Sequence, residues 1–387
     1  MRLVDITSFF PTSCGGIKRY YREKARVLPP RGIECHFVAP GPRLAEEPLG
    51  DGTLHFLPGP SVPWSPQYRL FRPDGGLGRL LRRLQPDVVE IGSHYFLPDM
   101  VRRALAPLGG RRPAVVGFFH TDFPRQLVEP LARKFLPAGM DRAAVDLAWA
   151  FARRQFARYD ASLVASQEIA AQLRELDFPG VRWVGLGVDV DIFRPVQPPD
   201  MDAGPAHRPP TIAYLGRLSP EKELGLLTSV WDEVHARTGA RLRLVGEGPS
   251  RGSLERFAAG RPSVSVENYL DQPRDVAGVL AGSDLVVLTS GTETFSLATA
   301  EALACGTPVV GPARGAVGEL VVASGGGLAF SAGSAPALGH ALRTMLALEP
   351  AARRAVGASG RAHILANFTW DRVADRLAEA YASVRAS

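Results

Sequence analysis

The stretch from Leu285 to Glu319 constrains the fold most strongly, because it alternates between apolar strand and helix. An apolar run leads through a polar turn into a segment of helical composition, Phe295 to Cys305. Gly306 and Pro308 end that helix, and a second apolar strand begins at Val309. In such a βαβ unit the turn lies at the carboxyl edge of a parallel sheet, in front of a helix N-terminus. The pattern therefore predicts an anion-binding site.

One residue of this helix does not fit its surroundings. Glu301 is the only charge in the alanine- and leucine-rich segment LATAEALA. If it is buried, its carboxylate needs a partner, because burying an unpaired charge is costly. The alternative is a solvated glutamate on the exposed side of a surface helix, where this residue type is common. The residues alone leave both interpretations open.

The same alternation of strands and helices runs through most of the chain, and 387 residues exceed one ordinary core. We therefore predict an α/β protein with two doubly wound, Rossmann-like domains. The proline-rich tract from Pro195 to Pro210 cannot form a core and predicts a linker. The first domain is expected at 1–192 and the second at 193–369, with a C-terminal helix at about 370–387 packing back onto the first.

Two loops of the first domain follow apolar strands, as ligand-binding loops do. Gly15-Gly16 precedes a helix beginning near Ile17, and glycine permits the close approach of a ligand to the backbone. A tight turn without a ligand is the alternative, and the glycines do not form the dinucleotide fingerprint. His120 ends the strand that starts at Ala114, where it serves either as a base or hydrogen-bond donor or only as a cap of the next turn.

Two cations follow the first strand of the second domain. The loop GRLSPEK brings Arg217 and Lys222 to a sheet edge ahead of a helix, and two converging cations suit a diphosphate. Surface salt bridges are the alternative. Only 4 of the 45 basic residues are lysine, so a lysine retained at this position favours a role that arginine does not fill.

Composition bears on the setting of the protein. The 3 cysteines lie far apart without metal-ligand spacing, and no apolar run approaches the length of a membrane span. We therefore expect a cytoplasmic protein with no nucleic-acid partner. Residues 1–190 hold 26 basic and 19 acidic residues, a net charge of +7, whereas the remainder has 19 and 20, or −1.

The basic first half suits peripheral contact with anionic lipid at the inner face of the membrane, or an anionic substrate. An arginine-rich surface caused by genome composition is the alternative. The cations that would contact such a lipid surface or substrate are Lys18, Arg19, Lys24, Arg125, Arg133 and Lys134.

Several sequence motifs follow one another in a specific order. The most specific is the E-x7-E pattern from Glu293 to Glu301. The supporting motifs are the Gly15-Gly16 loop, FHTD at 119–122, GVDVDIFRP at 187–195, GRLSPEK at 216–222, VGEGP at 245–249 and FTWDRVADRL at 368–377. With these motifs the sequence resembles the retaining nucleotide-sugar glycosyltransferases of the GT-B type, glycosyltransferase family 4. The resemblance implies two Rossmann-like domains facing a central cleft, with the acceptor on the first and the nucleotide sugar on the second.

The resemblance also implies the role of each site residue. Arg217, Lys222 and the backbone amides of 295–297 would hold the diphosphate, Glu293 the donor-sugar hydroxyls and Glu301 the ribose diol. The implied catalytic residues are His120, Glu293, Arg217 and Lys222. The implied donor-binding residues are Gly16, Arg217, Lys222, Glu293, Thr294, Phe295, Ser296, Leu297 and Glu301. Neither a metal nor a cofactor is expected, because these cations and the helix end supply the positive charge.

FHTDFPRQL and TETFS are most similar to bacterial mannosyltransferases and related lipid-modifying enzymes. They imply GDP-mannose as the first choice of donor and a lipid, glycan or small-molecule hydroxyl as acceptor. Ser296 departs from the family, which commonly has glycine there. Its hydroxyl would cap the helix or bond the phosphate, and its side chain would narrow the donor pocket. The alternatives are a UDP-sugar-using transferase, a GT-B-like UDP-sugar epimerase, and an inactive sugar-nucleotide-binding protein.

Overall fold

The computed structural model describes residues 1–8, 10, 16–62, 65–93, 97–106, 112–137, 139–196 and 208–386. They form two compact units, which we call unit 1 (Met1–Leu186 with Trp370–Ser387) and unit 2 (Gly187–Thr369). The first unit ends at Leu186, where the sequence placed the boundary at 192, and it includes the C-terminal segment. Within the described ranges, no helix is both long enough and apolar enough to cross a bilayer.

The strands fall into two sheets and one hairpin. Those of unit 1 are β1 (Arg2–Ile6), β2 (Glu34–Gly41), β3 (Ala45–Leu49), β4 (Gly52–Pro58), β5 (Ser61–Val62), β6 (Ser65–Arg69), β7 (Val88–Ile91), β8 (Ala114–Phe118), β9 (Ala161–Val164) and β10 (Val181–Trp183). Those of unit 2 are β11 (Thr211–Leu215), β12 (Arg241–Val245), β13 (Val264–Glu267), β14 (Leu285–Val287), β15 (Val309–Pro312) and β16 (Gly327–Phe330).

The helices alternate with these strands. They are α1 (Gly16–Val27), α2 (Gly76–Leu84), α3 (Leu97–Leu105), α4 (Glu129–Phe135), α5 (Met140–Phe156), α6 (Gln167–Glu175), α7 (Leu224–Thr238), α8 (Arg251–Ala258), α9 (Pro273–Ala281), α10 (Leu297–Ala304), α11 (Gly315–Ser324), α12 (Ala335–Ala347), α13 (Pro350–Asn367) and α14 (Trp370–Ala386). Short 3-10 turns lie at Pro29–Arg31 and Pro220–Lys222, and a π-helical turn at Pro124–Val128 leads into α4.

Strand order fixes where each unit can bind a ligand. Unit 1 has the order β10-β9-β8-β7-β1-β2-β4-β3, parallel except for β3 against β4, while β5 and β6 form a separate hairpin. Unit 2 has the all-parallel order β13-β12-β11-β14-β15-β16. The order reverses between β1 and β7 in unit 1 and between β11 and β14 in unit 2. Open α/β sheets bind ligands at the carboxyl ends of strands at such reversals.

The central strands are buried on both faces, which is why they appear in the sequence as continuous apolar runs. Leu285 to Val287 are fully buried, as are the core residues Val4, Ile6 and Val89. The predicted α/β fold with two doubly wound units is therefore confirmed. Sequence reasoning missed α11 and β16. The helix is buried over most of its surface, so its apolar residues show no helical period, and its glycines resemble a loop.

Candidate active site

The reversal of strand order in unit 2 brings the two predicted donor-binding loops together. Because β11 and β14 are paired neighbours, the loop after β11 and the loop after β14 leave the same sheet edge side by side. The first loop contains Arg217 and Lys222, and the second contains Glu293. The second loop runs directly into α10.

Lys222 and Glu293 form an ion pair across these two loops, between Nζ and Oε1. Each side chain is 22% exposed, so the pair is open to a ligand. The backbone below is fixed, because the Thr289 hydroxyl donates to the Lys222 carbonyl at 2.5 Å. The Tyr214 hydroxyl donates to the Arg217 carbonyl at 2.9 Å, and burial raises the pKa of Tyr214 so that the phenol stays neutral. Arg217 itself is exposed.

Close backbone packing supports the first loop. A Cβ atom on Gly248 would lie 2.3 Å from the Leu218 carbonyl oxygen, so only glycine fits this place in the VGEGP motif. The Ser250 amide donates to the same carbonyl at 2.8 Å. The VGEGP segment therefore packs against the backbone of the loop from Arg217 to Lys222 and supports it.

Gly315 has the same role beneath the second loop. It has φ +70°, and a Cβ atom there would lie 2.5 Å from the Gly291 carbonyl oxygen. The Ala316 amide donates to the Glu293 carbonyl at 3.3 Å. The start of α11 thus holds the backbone of Glu293 in position.

Ser296 precedes α10 with an unusual backbone conformation. Its φ of +67° lies in the left-handed region, where a residue other than glycine costs about 1–3 kcal/mol. This explains why glycine is the easier residue at this position. The predicted helix cap is wrong, because the hydroxyl forms no hydrogen bond to the backbone of the first turn. It pairs instead with the Thr299 hydroxyl at 2.9 Å.

Glu301 lies on the buried side of α10. The residue is 7% exposed, and its neighbours from Thr299 to Ala304 are buried as well. The solvated-glutamate interpretation is therefore wrong. Burial, followed by the charge of Glu301, raises the pKa of the Cys305 thiol to about 12, so this cysteine stays protonated.

The remaining donor-side residues lie between these two glutamates. Thr294 is half-buried, and Phe295 is 3% exposed with its ring 5.6 Å from that of Phe368. Leu297 is the first residue of α10. The first-turn amides of a helix have no acceptor four residues earlier, so they are available to an anion.

In unit 1, His120 lies just past β8 at the sheet's carboxyl edge. Its ring stacks on Phe118, with centroids 3.9 Å apart, and meets the edge of Tyr20 at 5.3 Å. A Cβ atom on Gly92 would lie 3.4 Å from the His120 ring, an ordinary van der Waals contact, so the backbone at Gly92 lies directly beside the imidazole. Asp122 accepts the Arg125 amide at 3.1 Å and so begins the π-helical turn that follows.

Behind His120 lies a buried charged cluster that the sequence did not reveal. Lys24 Nζ contacts Asp5 Oδ2 at 2.6 Å and Glu90 Oε1 at 3.0 Å, and all three side chains are at most 1% exposed. Its aromatic members are Tyr20, Tyr21 and Tyr381. The Tyr20 hydroxyl donates to Glu90 at 3.4 Å, and the Tyr21 hydroxyl donates to Asp5 at 2.8 Å. The Tyr381 hydroxyl donates to Glu90 Oε2. We call these six residues the Lys24 cluster.

The two carboxylates of the Lys24 cluster have pKa values that are shifted in opposite directions. Burial, followed by the charge of Glu90, raises the pKa of Asp5 from 3.8 to about 7 against the lowering effect of Lys24. Burial also acts to raise the pKa of Glu90, but Lys24 and the Tyr381 hydroxyl more than offset it and leave it below its usual value. Burial raises the pKa of all three tyrosines, so they remain donors.

The Asp5→Asn variant is expected to change the pH dependence of stability. Because the folded pKa of Asp5 is raised, the folded state binds more protons than the unfolded state between pH 3.8 and about 7. Asp5 therefore contributes stability at low pH that is lost as the pH rises through about 7. In urea unfolding across this range, the free energy of unfolding of wild type should fall relative to that of Asp5→Asn as the pH rises. A wild-type free energy of unfolding that rises relative to the variant would contradict this assignment.

The structure corrects one of the predicted acceptor-side cations. Lys24 was predicted among them, but it is fully buried and held by two carboxylates, so it contacts no acceptor. Gly16 begins α1, as a helix N-terminus at this loop requires, whereas Gly15 and the Lys134 side chain lie outside the described part of the structure. Among the described residues, no group of three or more His, Cys, Asp or Glu is arranged to hold a metal ion.

Two doubly wound units in one chain, the second with cations and a helix start at its reversal point, have the architecture of the GT-B glycosyltransferases. The family model "Glycosyltransferase Family 4" matches residues 14–192, and "Glycosyl transferases group 1" matches residues 209–347. The chain therefore consists of a glycosyltransferase family 4 domain followed by a glycosyl transferases group 1 domain, and it is a hexosyltransferase.

Individual proteins agree with this assignment. The chain is 29% identical over 381 residues to a GDP-mannose-dependent alpha-(1-6)-phosphatidylinositol dimannoside mannosyltransferase of Mycobacterium tuberculosis, covering 97% of this chain and 94% of that one. It is 28% identical over 391 residues to a GDP-mannose-dependent alpha-mannosyltransferase of Mycolicibacterium smegmatis, covering 99% and 98%. Sucrose-phosphate synthase from Thermosynechococcus elongatus shares the fold, with a TM-score of 0.74, 19% identity and full coverage of both chains.

Proposed function

We propose that this chain is a retaining α-mannosyltransferase that moves mannose from GDP-mannose to an acceptor hydroxyl without a metal ion. The observation that carries the proposal is the partly exposed Lys222–Glu293 ion pair. It lies where the strand order of unit 2 reverses, beside the start of α10. A diphosphate placed there would meet the Lys222 ammonium, Arg217 and the first-turn amides together.

The chemistry assigned to the chain is mainly electrostatic. The bond from the anomeric carbon to the phosphate oxygen breaks while the bond to the acceptor oxygen forms on the same face. The departing phosphate oxygen takes the acceptor proton. Lys222, Arg217 and the amides of 295–297 stabilise the charge that develops on the diphosphate, which preorganised donors do without reorganising. We assign Glu293 to the sugar hydroxyls, Glu301 to the ribose diol and, in unit 1, His120 to the sugar.

The donor and acceptor are proposed from the relatives. Both mycobacterial proteins are named as GDP-mannose-dependent, and one of them acts on a phosphatidylinositol dimannoside. We propose the same donor here and a lipid-linked acceptor at an anionic membrane surface, in keeping with the +7 charge of residues 1–190.

A donor screen tests the proposal. Release of nucleotide from GDP-mannose, UDP-glucose, UDP-N-acetylglucosamine and ADP-glucose would be followed with and without phosphatidylinositol mannosides, in the presence of EDTA. Release that is fastest with GDP-mannose and survives EDTA is expected, with an α-linked product by NMR.

The Glu301→Gln variant should bind GDP about 1–3 kcal/mol more weakly, the size of one charge-assisted hydrogen bond.

The other outcomes separate the alternatives. Faster release from a UDP-sugar would make the chain a UDP-sugar-using member of the family. Conversion of a UDP-sugar into its epimer would indicate an epimerase. Binding of a nucleotide sugar without release or transfer from any donor would indicate an inactive binding protein.

A further inference from the structure

The exposed large apolar side chains are concentrated in one segment of unit 1. Of the 13 such side chains exposed among the described residues, 7 lie between residues 127 and 151. Six of them fall at helical spacing: Leu127, Leu131, Phe135, Met140, Leu147 and Phe151. Phe135 and Leu147 are 69% and 72% exposed. Scattered exposed leucines need no explanation, but a concentration of this kind marks an interaction surface.

These side chains form one stripe on each of two packed helices. Leu127, Leu131 and Phe135 follow one another every four residues through the π-helical turn and α4. Met140 begins α5, and Leu147 and Phe151 follow it by 7 and 11 residues, which places all three on one helix face. Helices α4 and α5 pack against each other. The buried positions of the pair are Ala132 of α4 and Ala148, Ala152, Gln155 and Phe156 of α5. The exposed apolar stripe is therefore separate from the residues that pack the pair into unit 1.

The charge of the same segment selects between kinds of partner. Residues 123–156 contain 6 basic and 3 acidic residues, a net charge of +3. Arg133, Arg153 and Arg154 are exposed there. A symmetric contact between two copies would bring these like charges together. An anionic bilayer attracts them and also accepts the apolar stripe.

The helix pair is also connected directly to the predicted acceptor side. Its π-helical turn begins at Pro124, four residues after His120. Asp122, 2% exposed, accepts the amide of Arg125 and so fixes the turn relative to the histidine loop. A π-helical turn of this kind is frequent at functional sites.

We propose that the exposed face of the α4–α5 pair docks unit 1 on an anionic lipid bilayer, with Leu127, Leu131, Phe135, Leu147 and Phe151 entering the interface. The stripe inserts at the boundary between headgroups and acyl chains, and the arginines pair with lipid phosphates. The inference deepens the proposed function, on which it rests only for the lipid acceptor. Docking itself requires no donor.

The test is flotation with phosphatidylcholine vesicles that contain or lack phosphatidylglycerol, without nucleotide sugar. The combined variant Leu131→Ser, Phe135→Ser and Leu147→Ser is compared with the control Leu44→Ser and Val322→Ser, whose side chains are each 69% exposed elsewhere. Wild type and control should float with the anionic vesicles, and the triple variant should partition about tenfold or more weakly. Circular dichroism melting checks that all three proteins are folded.

Three results overturn the proposal. They are wild type that fails to bind anionic vesicles at low salt, a triple variant that binds as well as wild type, and a lipid-free wild-type dimer that the triple substitution dissociates. The last result would assign the face to a second copy. Nucleotide release with a water-soluble acceptor separates this proposal from the proposed function. The triple variant should still release nucleotide with that acceptor. If wild type, control and triple variant all release no nucleotide while wild type and control still bind vesicles, only the transferase assignment is refuted.

Discussion

Replacing Lys222 by alanine is expected to lower kcat/KM for transfer by about 100- to 1,000-fold, the usual effect of removing one preorganised donor from a developing anion. Lys222 lies where the strand order of unit 2 reverses. Its backbone carbonyl accepts a hydrogen bond from Thr289, and its side chain is 22% exposed. It is therefore placed for a ligand and contributes little to the core. The free energy of unfolding should change by less than about 1 kcal/mol, as for a partly exposed ion pair.

The Glu293 pair provides a sharper version of this experiment. If Lys222 serves only to neutralise Glu293, the double variant Lys222→Ala, Glu293→Gln should be no slower than Glu293→Gln alone. If Lys222 binds diphosphate, the double variant should be markedly slower than Glu293→Gln. The matched control is Arg237→Ala, because this cation lies at the end of α7 and is 66% exposed beside Glu233. Near-normal kcat/KM in Lys222→Ala would refute the phosphate role.

Replacing Lys24 by methionine is expected to destabilise unit 1 by about 3–5 kcal/mol, the cost of removing one partner from a buried ion pair. The ammonium is fully buried between Asp5 and Glu90, and no solvent reaches the carboxylates it would leave behind. Urea unfolding measures the effect. The matched control is Arg26→Met in the same helix, because Arg26 is 59% exposed and pairs only with Glu23 among the described residues.

A multiple variant keeps this prediction testable if Lys24→Met does not fold. Lys24→Met combined with Asp5→Asn and Glu90→Gln removes every formal charge of the Lys24 cluster, so it should regain most of the lost stability. If the triple variant is as unstable as Lys24→Met, then lost packing by the lysine stem explains the effect, and the charge argument fails.

The donor side was largely predictable because its signals are local in sequence. The strand, turn and helix around Glu293 have the predicted order, and Glu301 is buried, which was one of the two interpretations that the residues left open. The backbone of Ser296 was not predictable, because its left-handed φ depends on how the loop meets α10. The roles of the site residues remain proposals.

The Lys24 cluster was missed although its signal was of the same kind. Asp5 and Glu90 are each the only acidic residue of their strands, and Lys24 is one of 4 lysines in an arginine-rich chain. The sequence does not show that β1 and β7 are neighbours, with Asp5 opposite Glu90. Because the paired strands bring two buried carboxylates together, a cation between them is needed to compensate their charge. The exposed stripe of α4 and α5 was missed because exposed and buried apolar positions look alike in a sequence.

Helix α14 has a consequence for how the chain is made. It supplies Trp370, Leu377 and Tyr381 to the core of unit 1, and the Tyr381 hydroxyl donates to Glu90. A ribosome synthesises these residues after all of unit 2. On the growing chain, Glu90 therefore lacks this donor while residues 187–369 are already able to fold. We expect the N-terminal unit to complete its core last, in the reverse of the order of translation.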